Sequence, residues 1–277
     1  CAMLGQHPAL YGLPELNLFT ADTLAEVMNK LRLIRPQSLH GLLRAVAQIE
    51  YQAQTVETID LADQWLQQHA RWNARQVLDY LAERTGSRIM IDKSPGTALN
   101  PVNLRRLRRA FPEARILHLV RHPRAVCHSI HQLRLKAARR SDVTQTGELS
   151  PEQLWLRINR NILALTNPMP PGQSMLVQGE RLLTQPELYL AQIAEWLGVS
   201  GDKPNIETML RPEDSPYACI GPSNARFGND PNFLHNPRYV KRSIPSQRLE
   251  GPLEWRSDPA NGFSAPTLML ARRLGYH

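Results

Sequence analysis

Cysteine is scarce and scattered: Cys1, Cys127 and Cys219 are the whole supply in 277 residues. Three such positions make neither a disulfide framework nor a zinc-ligand set, so a reducing, cytoplasmic compartment is expected. No apolar run reaches the length of a transmembrane span, and no signal-peptide pattern occurs. Internal repeats and low-complexity tracts are missing, which argues against a solenoid or a disordered linker. Also missing are a nucleic-acid-binding motif, a Walker A lysine and an evident magnesium-binding acid after a strand. Nucleic acid and a membrane span are therefore not expected among the partners.

What remains is an ordinary globular composition with an excess of positive charge. Hydrophobic residues make up 42%, the net charge is +8 and the pI is about 9.7. The length suits one large α/β domain or two small ones. The charge favours an anionic partner without saying which kind.

Periodicity predicts an amphipathic helix over 20–34, starting near Thr20 or Asp22, and further helices over 39–54, 55–69 and 74–86, the last ended by Gly86. Residues 20–86 thus form a helical insert. "SRIMID" (87–92) reads as a strand that runs into a loop at 92–96. Asn100 and Pro101 open a basic helix over 100–111. "RILHLV" (115–120) is the next strand, followed by a helix over 123–140. Ser150 and Gln153 form a capping box for a helix over 150–166. "SMLVQGE" (174–180) is another strand, and helices follow over 186–198 and 265–276. Alternating strands and helices predict an α/β fold with a parallel, doubly wound sheet. Residues 201–262 are rich in Pro, Asn, Gly and Asp, and so long an irregular stretch marks a functional or disordered segment.

Ligands of open α/β sheets sit at the carboxyl ends of the strands, and three of those ends carry Lys93, Arg121 and Glu180. In "RILHLVRHPRAVCHSI" (115–130), Arg121 leaves an apolar strand just where a helix begins. A guanidinium there either holds an anion, helped by the helix N-terminus, or makes a structural salt bridge. Ser129, on nearly the same helix face as His122, adds a hydroxyl donor suited to a phosphate monoester. Lys93 either stabilises charge at a reacting centre or pairs with Asp92 or another acid at the surface.

The segment "IDKSPGTALNPVNLRRLRRAFPEARILHLVRHPRAVCHSI" resembles the core of sulfotransferases that use 3′-phosphoadenosine 5′-phosphosulfate (PAPS). The resemblance extends from "AMLGQHP" to "ARRLGY" and implies a P-loop NTPase-like sulfotransferase fold of the bacterial type, in one domain over 1–277. In that family a strand-terminal Arg and a Ser eight residues on bind the 3′-phosphate; here these are Arg121 and Ser129. The Lys-x-Pro segment matches Lys93, the family's catalytic lysine. The family's 5′-phosphosulfate loop precedes text similar to "CAMLGQHPALYG". The loop and the first strand are therefore expected upstream of residue 1, and the chain by itself is expected to be inactive. "LPELNLF" and the helical insert resemble domains embedded in polyketide and olefin synthases, so a place in a larger multidomain chain is expected.

The resemblance implies transfer of a sulfuryl group from PAPS to a hydroxyl, leaving 3′,5′-ADP. The positive charge comes from Lys93, Arg121 and the loop, without a metal. Glu15 falls where protein-tyrosine sulfotransferases place their general base; His235, in the late loop over about 212–240, is the rival. In that loop Ser223, Asn224, Gly221 and Gly228 are candidates to contact the nucleotide, although turn chemistry explains them equally well. Arg134 lies one position away from another arginine site of the family. His118, His122, His128 and His131 lack a completing carboxylate or cysteine for zinc. Cys127, Trp65, Trp155 and Trp196 read as core or interface, and "NLRRLRR" (103–109) as a solvated face or a site for an acidic partner. The acceptor is left open among small molecules, carbohydrates, lipids, peptides and carrier-bound acyl chains. A P-loop-type kinase using ATP, or a non-catalytic nucleotide-binding or interaction domain, stands as the alternative.

Overall fold

Capping decides where the helices begin. The computed structural model describes residues 1–86, 88–138, 149–241, 243–245, 247–253, 255–256 and 261–277. Helix α1 (Leu24–Ile34) starts after Thr23, not at Thr20 or Asp22. Thr23 accepts from the Glu26 N–H while the Glu26 carboxylate accepts from the Thr23 N–H. Neither Thr20 nor Asp22 has a Glu or Gln three residues on, so only Thr23 completes the reciprocal box. After α2 (His40–Tyr51), α3 (Val56–Gln68) opens with Thr55–Thr58 and α4 (Ala74–Arg84) with Asn73–Gln76, both as capping boxes. Gly86 stands just past α4 at φ 71°, the left-handed geometry that a helix end favours.

The strands are short and parallel. β1 (Leu10–Gly12) pairs with β2 (Ile89–Ile91), Leu10 opposite Ile89 and Gly12 opposite Ile91. β1 carries no sequence signal, since three residues give no period to read. The expected loop after β2 holds a helical turn, α5 (Pro95–Leu99), because Pro95 is pre-organised for a first helical position. α6 (Pro101–Ala110) follows, with Asn100 accepting from the Val102 N–H at 2.9 Å. β3 (Ile116–Val120) leads into α7 (Pro123–Ala138) and then α8 (Pro151–Thr166), capped by Ser150 and Gln153 as expected. β4 (Ser174–Gln178) pairs with β3 in parallel, Val120 opposite Gln178. β4 stops at Gln178, and Gly179 and Glu180 open α9 (Gly179–Thr184) instead of extending the strand. The chain continues through α10 (Pro186–Leu197), α11 (Lys203–Met209), α12 (Pro231–His235) and α13 (Ala265–Arg273). Parallel strands separated by helices make this an α/β protein, although the described residues form two two-stranded sheets and not one.

Contacts group the chain into two compact units. One comprises Cys1–Ala114 with Pro186–Lys241, and carries β1, β2 and the helices α1–α6 and α10–α12. Its core centres on Leu42, Leu66, Val77 and Leu81, all fully buried. Burial of each such side chain contributes about 1.5–3 kcal/mol. The other comprises Arg115–Gln185 with Arg242–His277, and carries β3, β4, α7–α9 and α13. There Val120, Cys127, Trp155, Leu253 and Ala271 are buried together. Among the described residues no helix is long and apolar enough to cross a membrane.

Candidate functional site

In the first unit, the three residues after β2 divide their side chains between protein and solvent. Asp92 turns inward: its Oδ1 accepts from the Leu16 N–H at 3.4 Å and from the Ser94 hydroxyl at 2.9 Å. Burial pushes the Asp92 carboxyl up to about 6, with those hydrogen bonds opposing the shift. Ser94 in turn accepts from the Asn17 N–H at 2.9 Å. Asn17 is held at φ 56°, and its amide donates to the Ser38 carbonyl at 3.0 Å. Lys93 turns outward and forms an ion pair with Glu15. Of the two acids that could have partnered Lys93, the distant one in sequence has done so, and Asp92 is spent on the backbone beneath it.

The Glu15 side chain is half-buried and its backbone is packed closely. Its N–H donates to the Gly228 carbonyl at 2.7 Å. A Cβ on Gly41 would lie 2.1 Å from the Glu15 carbonyl oxygen, and one on Gly228 would lie 2.8 Å from the Gly41 Cα. Gly228 also adopts φ 123°, so steric room and backbone conformation both demand glycine there. Glu15, Lys93 and Gly228 therefore come together. Gly41 carries no local signal, since a glycine in a helix announces close approach only once its neighbour is known.

The rest of the late loop is fastened to the helical region. Fully buried Arg44 donates to the Phe227 carbonyl at 3.1 Å, to Gln54 Oε1 at 2.6 Å and to Cys219 Sγ at 3.4 Å. Burial lowers its pKa, and these acceptors offset part of its desolvation. The Asn224 amide donates to the Val56 carbonyl at 3.0 Å and to Asp60 at 2.9 Å, so that side chain anchors the loop on α3. Gly221 donates its N–H to the Arg226 carbonyl across a tight turn in which Ser223 is exposed. His235 stands exposed at the end of α12, where no hydrogen bond joins it to Glu15 or Lys93.

In the second unit, the end of β3 is clamped through its backbone. The Trp155 indole N–H donates to the Arg121 carbonyl at 3.0 Å. The Glu180 carboxylate accepts from the His122 N–H at 2.8 Å and from the Tyr276 hydroxyl at 2.9 Å. Burial, followed by the Glu180 charge, raises the Tyr276 pKa. Gly179 passes so near Arg121 that a Cβ would lie 3.0 Å from the Arg121 Cγ. Two residues on from His122, the Arg124 guanidinium donates to the carbonyls of Arg248 at 3.0 Å and Glu250 at 3.0 Å. The Arg121 guanidinium, by contrast, is exposed and has no ion-pair or hydrogen-bond partner among the described residues. Ser129 is exposed in the second turn of α7.

The remaining sequence candidates have structural surroundings. His118 is buried with Nε2 at 2.9 Å from Asn159 Oδ1, and burial lowers its pKa. His122 is buried, whereas His128 and His131 lie further along α7. Among the described residues, no group of three or more His, Cys, Asp or Glu side chains is placed to hold a metal ion. Cys127 is fully buried and its thiol is pushed up to about 12, which makes it inert packing. Trp65 and Trp155 are buried and Trp196 is half-buried. Trp155, Glu180 and Tyr276 become legible as supports of Arg121 only when distant segments meet.

Comparisons with known proteins agree with one another. The model of the sulfotransferase family matches residues 1–203, a range that contains Glu15, Lys93, Arg121 and Ser129. The sulfotransferase domain from the Synechococcus PCC 7002 olefin synthase is similar to this chain, with 27% identity and a TM-score of 0.76. That match covers 100% of this chain and 89% of the other. The sulfotransferase domain from the curacin biosynthetic pathway has the same fold, with a TM-score of 0.76 and 24% identity, covering 100% of this chain and 92% of the other. Among curated proteins, no sequence match is found.

Proposed function

Because the chain belongs to the sulfotransferase family, we propose that it transfers a sulfuryl group from PAPS to a hydroxyl of its acceptor. The observation that carries this reading is the Lys93–Glu15 ion pair at the end of β2, within the matched region. It pairs a cation with a proton acceptor at the carboxyl end of a parallel strand, where α/β folds do chemistry. Glu15 takes the proton of the acceptor hydroxyl, whose oxygen forms the new bond to sulfur. The bond from sulfur to the bridging phosphate oxygen breaks, and the electron pair leaves with 3′,5′-ADP. Lys93 exchanges Glu15 for that bridging oxygen and stabilises the charge it acquires. Catalysis of this kind is positioning and electrostatics around a loose transition state, as in phosphoryl transfer.

Arg121 and Ser129 are assigned to the 3′-phosphate. The exposed guanidinium without a partner at a clamped strand end supports that assignment, since a rigid backbone keeps five donors available for phosphate oxygens. Gly228 holds the late loop on Glu15, and Ser223 is the late-loop side chain left for the nucleotide. Asn224 is better explained by its bonds to α3, and His235 is the weaker base because it is not joined to Lys93. The reading uses no metal. Two solved relatives are domains of biosynthetic systems, which supports a domain of a larger bacterial, cytoplasmic enzyme with a small-molecule or carrier-bound acceptor.

Binding of 3′,5′-ADP against ADP tests the donor. We expect 3′,5′-ADP to bind more tightly, and Arg121→Ala to remove most of the difference. Loss of a charge-assisted phosphate contact costs about 1.5–3 kcal/mol, or roughly 10- to 150-fold in affinity. Equal affinity for the two nucleotides would instead favour an ATP-type enzyme.

A further inference from the structure

The basic helix α6 presents a cavity that the proposed transfer does not use. Arg106 and Arg109 both reach Asp22: Arg106 with Nε at 2.9 Å and Nη2 at 2.8 Å, Arg109 with Nη2 at 2.8 Å. Beside them, Arg75 in the first turn of α4 bonds Asp79 at 3.0 Å and the Ala110 carbonyl at 3.0 Å. Its guanidinium also lies 5.1 Å from the centre of the Phe111 ring. Asp22, Arg75, Arg106 and Arg109 line a cavity of about 300 Å³, whose apolar surface comes from Phe19 and Ala110 among others. That volume is at the lower end of small-molecule sites, roughly 300–1,000 Å³.

We propose that this cavity binds an organic phosphate, with its anionic head held by Arg75 and Arg109 beside the charge of Arg106, and its apolar body against Phe19. Three guanidiniums line the cavity and a single carboxylate, Asp22, lines it with them; Asp79 faces Arg75 from one turn along α4. The charge balance in the cavity is therefore positive. Asp22 takes Nε and Nη2 of Arg106, whose Nη1 donates to the Thr20 carbonyl at 3.3 Å and to Asn103 Oδ1 at 3.4 Å, whereas it takes only one side of Arg109 and fixes that guanidinium's direction. Arg109 uses only Nη2, and Arg75 leaves Nη2 unspent. Both therefore keep donors for phosphate oxygens, in the fork geometry that suits bidentate recognition. Arginine is the side chain that binds phosphate this way, and the apolar wall distinguishes an organic ester from the bare ion. The spacing of "NLRRLRR" now has a geometric reading: Arg106 and Arg109, three apart, share the cavity face of α6.

Titration calorimetry at constant ionic strength tests the site, with phenyl phosphate and inorganic phosphate as probes. The proteins are the wild type, Arg121→Ala, Arg75→Gln/Arg109→Gln and Arg109→Gln alone. The Arg109 side chain is 76% exposed, so the single variant leaves the Arg106–Asp22 pair and the fold in place. Phenyl phosphate is expected to bind wild type and Arg121→Ala alike, and the double variant about tenfold more weakly, with Arg109→Gln between them. It is expected to bind more tightly than inorganic phosphate. Unchanged affinity in the Arg75 and Arg109 variants, or no saturable binding to the wild type, would overturn the site. Loss of phenyl phosphate binding in Arg121→Ala would move the anion to the nucleotide seat and overturn it too. Equal affinity for the two probes would overturn the organic ligand.

Discussion

Two strand ends bring a cation to the surface, and they treat it in opposite ways. After β2, the Lys93 ammonium is paired with Glu15 while Asp92 and Ser94 secure the backbone around it. After β3, the Arg121 side chain is unpaired among the described residues, and Trp155 and Glu180 instead bond the peptide group that joins it to His122. A cation already partnered to a carboxylate is set up for an exchange of partners, as a reacting group needs. A cation without a partner on a rigid backbone is set up to hold an anion, as a binding group needs. The difference supports giving Lys93 and Arg121 the two roles proposed above.

That contrast can be broken in measurable steps. Lys93→Ala should lower kcat by roughly 10²–10³-fold while leaving 3′,5′-ADP affinity within a few-fold, the mark of a group acting in the transition state. Arg121→Ala should show the reverse order of effects, and equal losses in both quantities for both variants would erase the distinction. Gly228→Ala comes next. It forces a Cβ to 2.8 Å from Gly41 Cα at φ 123° and should cost about 1–3 kcal/mol in urea unfolding, with Glu15 displaced and turnover reduced. Wild-type stability would mean the late loop is not seated on Glu15.

The smallest expected effect concerns Asp92. Its folded-state pKa is raised from 3.8 to about 6, so the folded chain binds the proton more tightly than the unfolded chain does. Stability is therefore lost as pH rises from about 4 to about 6 and does not return above it. Asp92→Asn keeps an acceptor for Ser94 and Leu16 while removing the charge. It should be more stable than wild type at pH 7.5, by on the order of 1 kcal/mol, with the advantage gone at pH 4. A variant less stable than wild type at pH 7.5 would show that the charge itself supports Lys93.

Much of the secondary structure was readable because its signals are local. Ser150 with Gln153 and Asn100 with Pro101 opened helices where expected, and the apolar runs before Lys93 and Arg121 formed strands. β1 was unreadable because three residues carry no period, and α1 began at Thr23 because the reciprocal box outweighed two earlier capping residues. Lys93 and Glu15 were each identifiable as candidates. Their pairing was not, because 78 residues separate them.

Patterning, capping and composition act over a few residues, and they account for the alternation of helices and parallel strands, the basic charge and the cations after the two strands. It takes the folded arrangement to pair Lys93 with Glu15 and not Asp92, to close Gly41 and Gly228 on the Glu15 backbone, and to clamp the peptide at Arg121 with Trp155 and Glu180. Those outcomes depend on which distant segments pack together, and the packing free energy is a property of the whole core that no single stretch encodes.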